Sequence, residues 1–350
     1  MKAIKYLVTT FLFLLLSGFS LQAQNTEGTE FWLTFGKISS LTSVTSELEF
    51  QIRIVNGNYN NTVTLYFTES KTYHYINLVP YEIEDYYLDY DQRWASYNSI
   101  SGTTHKSIRI TSNEPVSVFA CNAWGPSVMD ITNVLPKPAL GIEYYHISYI
   151  PSNGFMDAFA VVATQNNTLL YHNKNYVTTL QEGQVYYYPS SIDLTRDYIT
   201  SNKPVAFFAA NQSAHIPVLN MMGTYLWQQL CPVNTWDKTF FVPVTNFEKD
   251  IIRIVTSQNN TTITQTGGIL RTDVPGAQNT LTNLQAGQFV ELAVFSDSAG
   301  CYIKAEKPVE VCSYIASNHY TGKPSLPSQC WIPGIGQTVT RALFAPFTPS

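Results

Sequence analysis

The stretch Ile110-Thr-Ser-Asn-Glu-Pro-Val-Ser-Val-Phe-Ala120 returns as Ile199-Thr-Ser-Asn-Lys-Pro-Val-Ala-Phe-Phe-Ala209 and again as Ile303-Lys-Ala-Glu-Lys-Pro-Val-Glu-Val-Cys-Ser313. Self-similarity in a fixed order marks the duplication of one supersecondary unit, and it constrains the fold more than local propensity does. The prolines stand at 115, 204 and 308, spacings of 89 and 104 residues. That is far longer than a solenoid rung. It accommodates about six or seven strands, the content of a β-sandwich or of two propeller blades.

A second marker keeps the same period. Asn60-Asn61-Thr62, Asn166-Asn167-Thr168 and Asn259-Asn260-Thr261 each stand between two apolar, β-branched runs. Asparagine tolerates positive φ and bonds its own backbone, so each pair reads as a hairpin turn. A third marker, an aromatic strand, opens each unit: Phe31-Trp-Leu-Thr-Phe35, Tyr144-Tyr-His-Ile-Ser-Tyr-Ile-Pro151, Phe240-Phe-Val-Pro243, and a fourth time Leu343-Phe-Ala-Pro346. Either a fourth unit begins there, or the last strand closes the structure onto the first unit.

Apolar segments alternate with polar residues or run for four to eight positions rich in β-branched and aromatic types, the pattern of strands. Only Met221 to Leu230 offers a helical candidate, without a clear cap and ahead of Pro232. The expected fold is all-β with a pseudo-threefold repeat. It is β-propeller-like, with six blades as three two-blade units near residues 28–140, 141–236 and 237–340. Three tandem β-sandwich units are the alternative. A propeller protects its sheet edges, while sandwiches fit the strand count equally well. Strands such as Pro204-Val-Ala-Phe-Phe-Ala-Ala210 are apolar on both faces, as central strands are, with proline at the first position, where its missing N–H is tolerated.

Residues 1–23 read as an export signal outside the fold. Lys2 and Lys5 give the positive region, Tyr6 to Leu16 the apolar stretch, and Leu21-Gln22-Ala23 the cleavage site. The apolar stretch is short for a bilayer span, and the absence of cysteine at the cleavage point argues against a lipoprotein. Residues 24–350 are then an exported chain, secreted, at the cell surface or periplasmic, without membrane insertion. Aromatic residues make up 14% of the sequence and charged residues only 13%, about half the usual charged share. Without Lys2 and Lys5 the formal charge moves from −5 to −7. Such a balance leaves no electrostatic footprint for nucleic acid or anionic lipid.

Five cysteines follow the signal, at 121, 231, 301, 312 and 330, an odd number for an exported chain. If Glu306-Lys307 forms a hairpin tip, Cys301 faces Cys312 and a cross-strand disulfide follows. Two buried free thiols are the alternative. The sequence has no Gly-x-Ser-x-Gly elbow, no His-Glu-x-x-His, no Walker loop and no Cys-x-x-Cys. No enzymatic activity, cofactor or metal is therefore expected. The acidic run Glu82, Glu84, Asp85, Asp89 and Asp91 lies among Tyr86, Tyr87 and Tyr90. It lacks the glycine turn and alternating donors of a calcium loop, and reads as a solvated, tyrosine-rich strand edge.

His215 and His319 each lie eleven residues beyond a repeat proline, and the equivalent place in the first unit follows Asn122-Ala-Trp124-Gly. Repeat-equivalent loops emerge at related positions of an architecture. Asn122, Trp124, Asn211, Gln212, His215, Ser317, Asn318, His319 and Tyr320 are therefore candidates to line one common face. An aromatic, amide-rich face suits sugar stacking or protein contact. Two histidines without a third ligand do not make a metal site. The competing reading is that each loop caps its own strand.

Gly28-Thr-Glu-Phe-Trp-Leu-Thr-Phe35, the Ile-Thr-Ser-Asn-Lys-Pro-Val strand at 199–205, and Leu135-Pro-Lys-Pro-Ala-Leu-Gly141 leading to Tyr144 resemble the amino-terminal domain of the IgGFc-binding protein family. The resemblance extends over essentially all of the chain after the signal. It implies an extracellular, non-enzymatic binding or adhesive module, in a family named for an interaction with immunoglobulin G Fc in a mucus-associated protein. Bacterial members look like surface or secreted proteins. No binding residues transfer with the likeness. The expected function is recognition of a host or matrix glycoprotein, immunoglobulin- or mucin-like, through a protein or glycan contact. A carbohydrate-active propeller enzyme and a structural assembly subunit are the alternatives.

Overall fold

The computed structural model describes residues 26–125, 128–217, 223–245, 249–270, 280–296, 299–316 and 326–337. The export signal, the fourth aromatic strand and the candidates Ser317, Asn318, His319 and Tyr320 lie outside the described residues. Each repeat forms one sheet built on the same seven strands. In the first unit these are β1 (Glu27–Leu33), β2 (Leu48–Asn56), β3 (Asn61–Phe67), β4 (Thr72–Leu78), β5 (Ile83–Tyr87), β6 (Ile108–Trp124) and β7 (Val128–Val134). The second has β8 (Gly141–Tyr145), β9 (Asp157–Ala163), β10 (Thr168–His172), β11 (Asn175–Leu180), β12 (Val185–Ser190), β13 (Tyr198–His215) and β14 (Gly223–Gln229). The third has β15 (Asp237–Val242), β16 (Lys249–Thr256), β17 (Thr261–Thr266), β18 (Thr280–Leu284), β19 (Phe289–Phe295), β20 (Cys301–Ile315) and β21 (Ser328–Trp331).

The repeated proline stretch is the long strand of each unit, and it bends where the proline sits. Before the bend, Ile108–Ser112 of β6 pairs with β3. Beyond it, Val116–Trp124 pairs with β2. β13 and β20 divide their pairing in the same way, between β10 and β9 and between β17 and β16. The aromatic openers β1, β8 and β15 follow their long strands around the bend with a shift of register. The chain is thus all-β and threefold repeated. The sheets are curled, and their strand order is not a sequential meander. That order fits the sandwich form of the expectation more closely than a four-stranded blade.

Three expectations change. Glu306-Lys307 is no hairpin tip, because β20 runs as one strand from Cys301 to Ile315. Cys301 and Cys312 are both free and buried. At about 3.3 Å per residue, eleven residues of strand run about 36 Å from one to the other along the chain, which does not bring them face to face across a hairpin. Within the helical candidate Met221 to Leu230, Gly223–Gln229 is a strand. The Asn-Asn-Thr segments are not hairpin turns either. β9 and β10 both run antiparallel to β13 and so follow one another along it, and the asparagines carry the chain past the bend. Asn167 and Asn260 do take positive φ, 56° and 54°.

The two sequence markers therefore meet at one place. The Asn61 amide donates to the carbonyl of Glu114 at 2.9 Å and accepts from the backbone N–H groups of Asn113 and Glu114, both at 3.1 Å. In the second unit Thr164 donates to the Pro204 carbonyl at 2.7 Å, and in the third Ser257 donates to Pro308 at 2.6 Å. Glycine is required at the openers: a Cβ on Gly28 would lie 2.4 Å from the Pro136 ring, and one on Gly141 would lie 2.4 Å from Pro232.

The units share cores. One apolar cluster joins Phe35, Phe50 and Ile52 of the first unit to Phe208 and Trp227 of the second. Another joins Phe159, Phe207 and Leu226 of the second to Ile251, Val255 and Tyr314 of the third. Gly102–Thr104, from the first unit, pairs on β12 as an extra strand of the second sheet. Among the described residues no helix is long and apolar enough to cross a membrane.

Candidate recognition surface

The ends of β6 and β13 come together beside β14. Tyr225 of β14 donates its hydroxyl to the carbonyls of Asn122 and Val128, each at 2.9 Å, and Gly223 pairs with His215. Trp124 and His215, both partly exposed, therefore border one strand. The amides between them do not form an open face. Asn122, Asn211 and Gln212 are buried. Asn211 donates to the Tyr149 carbonyl at 2.7 Å and accepts from Ser213 N–H at 3.1 Å. Gln212 ties its backbone to Met156 and Ser39. These three close strand ends and are not offered to a ligand, which corrects their expected place on a common open face.

The acidic run is also dispersed. Asp85 accepts from Arg53 and Gln51 at 2.6 Å, and the hydrogen bond from Arg53 holds its carboxyl below the ordinary value. Asp89 caps α1 (Tyr90–Trp94), accepting from Gln92 N–H at 2.9 Å. That short helix was not legible as one. Glu82 accepts from Val79 N–H at 2.7 Å.

Charge is turned inward between the second and third units. Arg253 of β16 is 2% exposed and donates to Asp193 at 2.7 Å, Glu291 at 3.1 Å, Thr195 at 2.8 Å and the Ser148 carbonyl at 2.7 Å. Its guanidinium stands 4.2 Å over the Tyr149 ring. Burial opposes its charge, but Asp193 and its neighbours more than offset this, and its pKa rises. His146 and Asp157, fully buried, meet at 3.2 Å, and burial pushes the Asp157 carboxyl up. Two open pockets, of about 290 and 540 Å³, are lined around Asn60 and Asn77 and around Phe241 and Tyr302. Neither lining contains a carboxylate.

The outer side of the first unit has the opposite character. Thr62, Thr64 and Tyr66 of β3 stand opposite Asn77, Tyr75 and Tyr73 of β4, giving three polar or aromatic rungs on one face. Tyr73 is 59% exposed and Tyr75 64%. The Tyr66 and Tyr73 rings stack at 4.5 Å, and those of Tyr73 and Tyr75 lie 6.3 Å apart with planes 11° from parallel. On β6, across from Tyr66, Arg109 is engaged by Glu30 at 3.0 Å and Glu182 at 3.4 Å. Tyr59, Tyr81, Tyr87 and Tyr90, each more than half exposed, extend the aromatic surface of this unit. The tyrosine-rich strand edge expected around Tyr87 and Tyr90 is part of this surface, while the rings of β3 and β4 were not singled out. Their signal was the alternation itself: Val63, Leu65 and Phe67 face the core, so the residues between them face water.

Residues 130–348 match the family described as IgGFc binding protein. The human IgGFc-binding protein is 27% identical over 223 residues, which cover 59% of this chain and 4% of that protein. The chain thus spans a small fraction of this relative. Two solved structures of anti-sigma factor domain-containing proteins, one from Clostridium clariflavum, cover 87% of the chain and 82% and 83% of their own. They are 9% and 11% identical with TM-scores of 0.13 and 0.12, too low to carry any argument.

Proposed function

Because the chain belongs to the IgGFc binding protein family, we propose that it is an exported, non-enzymatic binding module that recognises a host or matrix glycoprotein. The observation that carries this reading is the distribution of side chains. Charged groups such as Arg253, Asp193 and Asp130 are drawn into the junctions between units, while the first unit presents tyrosines to solvent. Clustered exposed aromatics on a rigid β-scaffold are the composition of a contact surface, because they remove apolar area from water at little cost in side-chain entropy.

The human relative's name refers to immunoglobulin Fc, so Fc is the ligand to try first, with mucin as the second glycoprotein. The test is capture of the folded chain on immobilised immunoglobulin G and on mucin. Retention by either, abolished when the chain is unfolded, supports the reading. Retention by neither removes it.

A further inference from the structure

We infer that the outer face of β3 and β4 is a platform for an uncharged glycan chain, with Tyr66, Tyr73 and Tyr75 as stacking groups and Thr64, Thr62 and Asn77 as the hydrogen-bonding row. This rests on the binding reading above and gives it a place and a ligand class. A sugar ring presents a C–H face bordered by hydroxyls, and its complement is an aromatic face with neutral donors and acceptors beside it. Those two elements lie on consecutive rungs here, Tyr66–Tyr73, Thr64–Tyr75 and Thr62–Asn77.

The polar groups are free in the right sense. Thr62 Oγ1 donates to the side-chain Oδ1 of Asn77 at 3.0 Å, which leaves the Asn77 side-chain N–H groups as donors. Among the described residues the hydroxyls of Thr64, Tyr66, Tyr73 and Tyr75 have no protein partner. The polar row runs on into the 290 Å³ pocket, where Asn60 and Asn113 add further amides, so the face suits a chain of sugars more than a single one.

Charge selects the class of glycan. Arg109, the cation nearest the rings along the sheet, is already held by Glu30 and Glu182. Glu69 and Lys71 at the β3–β4 turn carry opposite formal charges, so that end of the face has no net charge. An acidic glycan therefore meets no net positive charge among these groups. Rigidity lowers the cost of binding, since Val63, Leu65 and Phe67 anchor β3 from beneath with no exposed area.

The test is affinity electrophoresis of the folded chain through gels containing mannan, laminarin, galactomannan or hydroxyethylcellulose, with hyaluronan as the charged comparison. Retardation by at least one neutral polysaccharide is expected. Its dissociation constant should rise at least about tenfold in Tyr73→Ala/Tyr75→Ala, the scale of two lost stacking contacts. Tyr75→Phe, which keeps the ring, should bind within about threefold of the parent. If the double variant misfolds by circular dichroism, Thr64→Arg, which puts bulk and charge between the rings, serves in its place.

No retardation by any neutral polysaccharide, equal retardation of the folded variant, or stronger retardation by hyaluronan overturns the inference. Capture on immunoglobulin or mucin that is equal before and after enzymatic deglycosylation leaves the binding module standing and removes the glycan platform.

Discussion

Asp130 is a lone carboxyl at the point where the three units meet. It accepts from Trp227 N–H at 2.7 Å, from Ile131 N–H at 3.1 Å, and from Gln228 and Ser328 side chains at 3.4 Å, so β7, β14 and β21 all converge on it. Burial pushes its pKa up to about 7, against the pull of those donors. A carboxyl raised in the folded state binds its proton more tightly there than in the unfolded chain. Its contribution is full below about pH 4 and is lost as pH rises to about 7, roughly 4 kcal/mol in all. The melting temperature of the parent, measured against that of Asp130→Asn, should therefore fall between pH 5 and 7.5. Parallel melting curves of the two across that range would refute it. Arg253 makes the opposite case, a charge that burial would expel but for its partners. Arg253→Met removes the cation that Asp193 and Glu291 share at the junction and should cost about 3–5 kcal/mol in urea denaturation. A loss under 1 kcal/mol would show that the network contributes little.

At the scale of elements, the bend in each long strand decides the topology, held in the first unit by Asn61 and in the other two by Thr164 and Ser257. Asn61→Ala removes one donor and two acceptor contacts to the bend peptides. At about 1 kcal/mol each it should destabilise by about 2–3 kcal/mol. Asn60→Ala, at an exposed neighbour, should be nearly neutral, and equal losses for the two in chemical denaturation would contradict the clamp. The repeat, the strand class and the openers were legible because duplication and period-2 alternation are properties of the sequence itself. The bend was not. Glu306-Lys307-Pro308 looks the same as a hairpin tip or as a kink inside one strand, and only the partners on either side tell them apart. The same ambiguity turned Asn166-Asn167 into a hairpin. The buried amides Asn122, Asn211 and Gln212 were misplaced for another reason: residue type and spacing place them at strand ends, but burial depends on β8, β14 and their loops, far away in sequence. The tyrosine face was legible in the alternation of β3 and β4, where apolar positions fix the outward set.

For the whole molecule, the question is whether three repeats make three domains. Tandem sandwiches on linkers would each have their own core, and relative motion would be the default. Here the apolar clusters run across both junctions: Trp227 of the second unit stacks on Phe35 of the first at 5.0 Å, and Tyr314 of the third sits 5.4 Å from Tyr149 of the second. Polar groups cross as well, since Arg253 takes its partners Ser148, Asp193 and Thr195 from the second unit and Leu135 N–H is received by Gln229 at 2.8 Å. Separating any unit would strand aromatic area and buried charge together, so an intermediate with one unit lost is disfavoured at both junctions. Urea unfolding followed by tyrosine fluorescence, by near-ultraviolet circular dichroism and by pulse proteolysis should then give coincident transitions, with one midpoint. Midpoints that separate by probe, or a stable proteolytic fragment ending near residue 140 or 236, would mean that the units fold alone and that the shared clusters are only contacts between domains. Coincidence would have a functional consequence: the tyrosine face of the first unit would be held by all three, and a lesion at Arg253 would weaken ligand binding only by unfolding the entire chain.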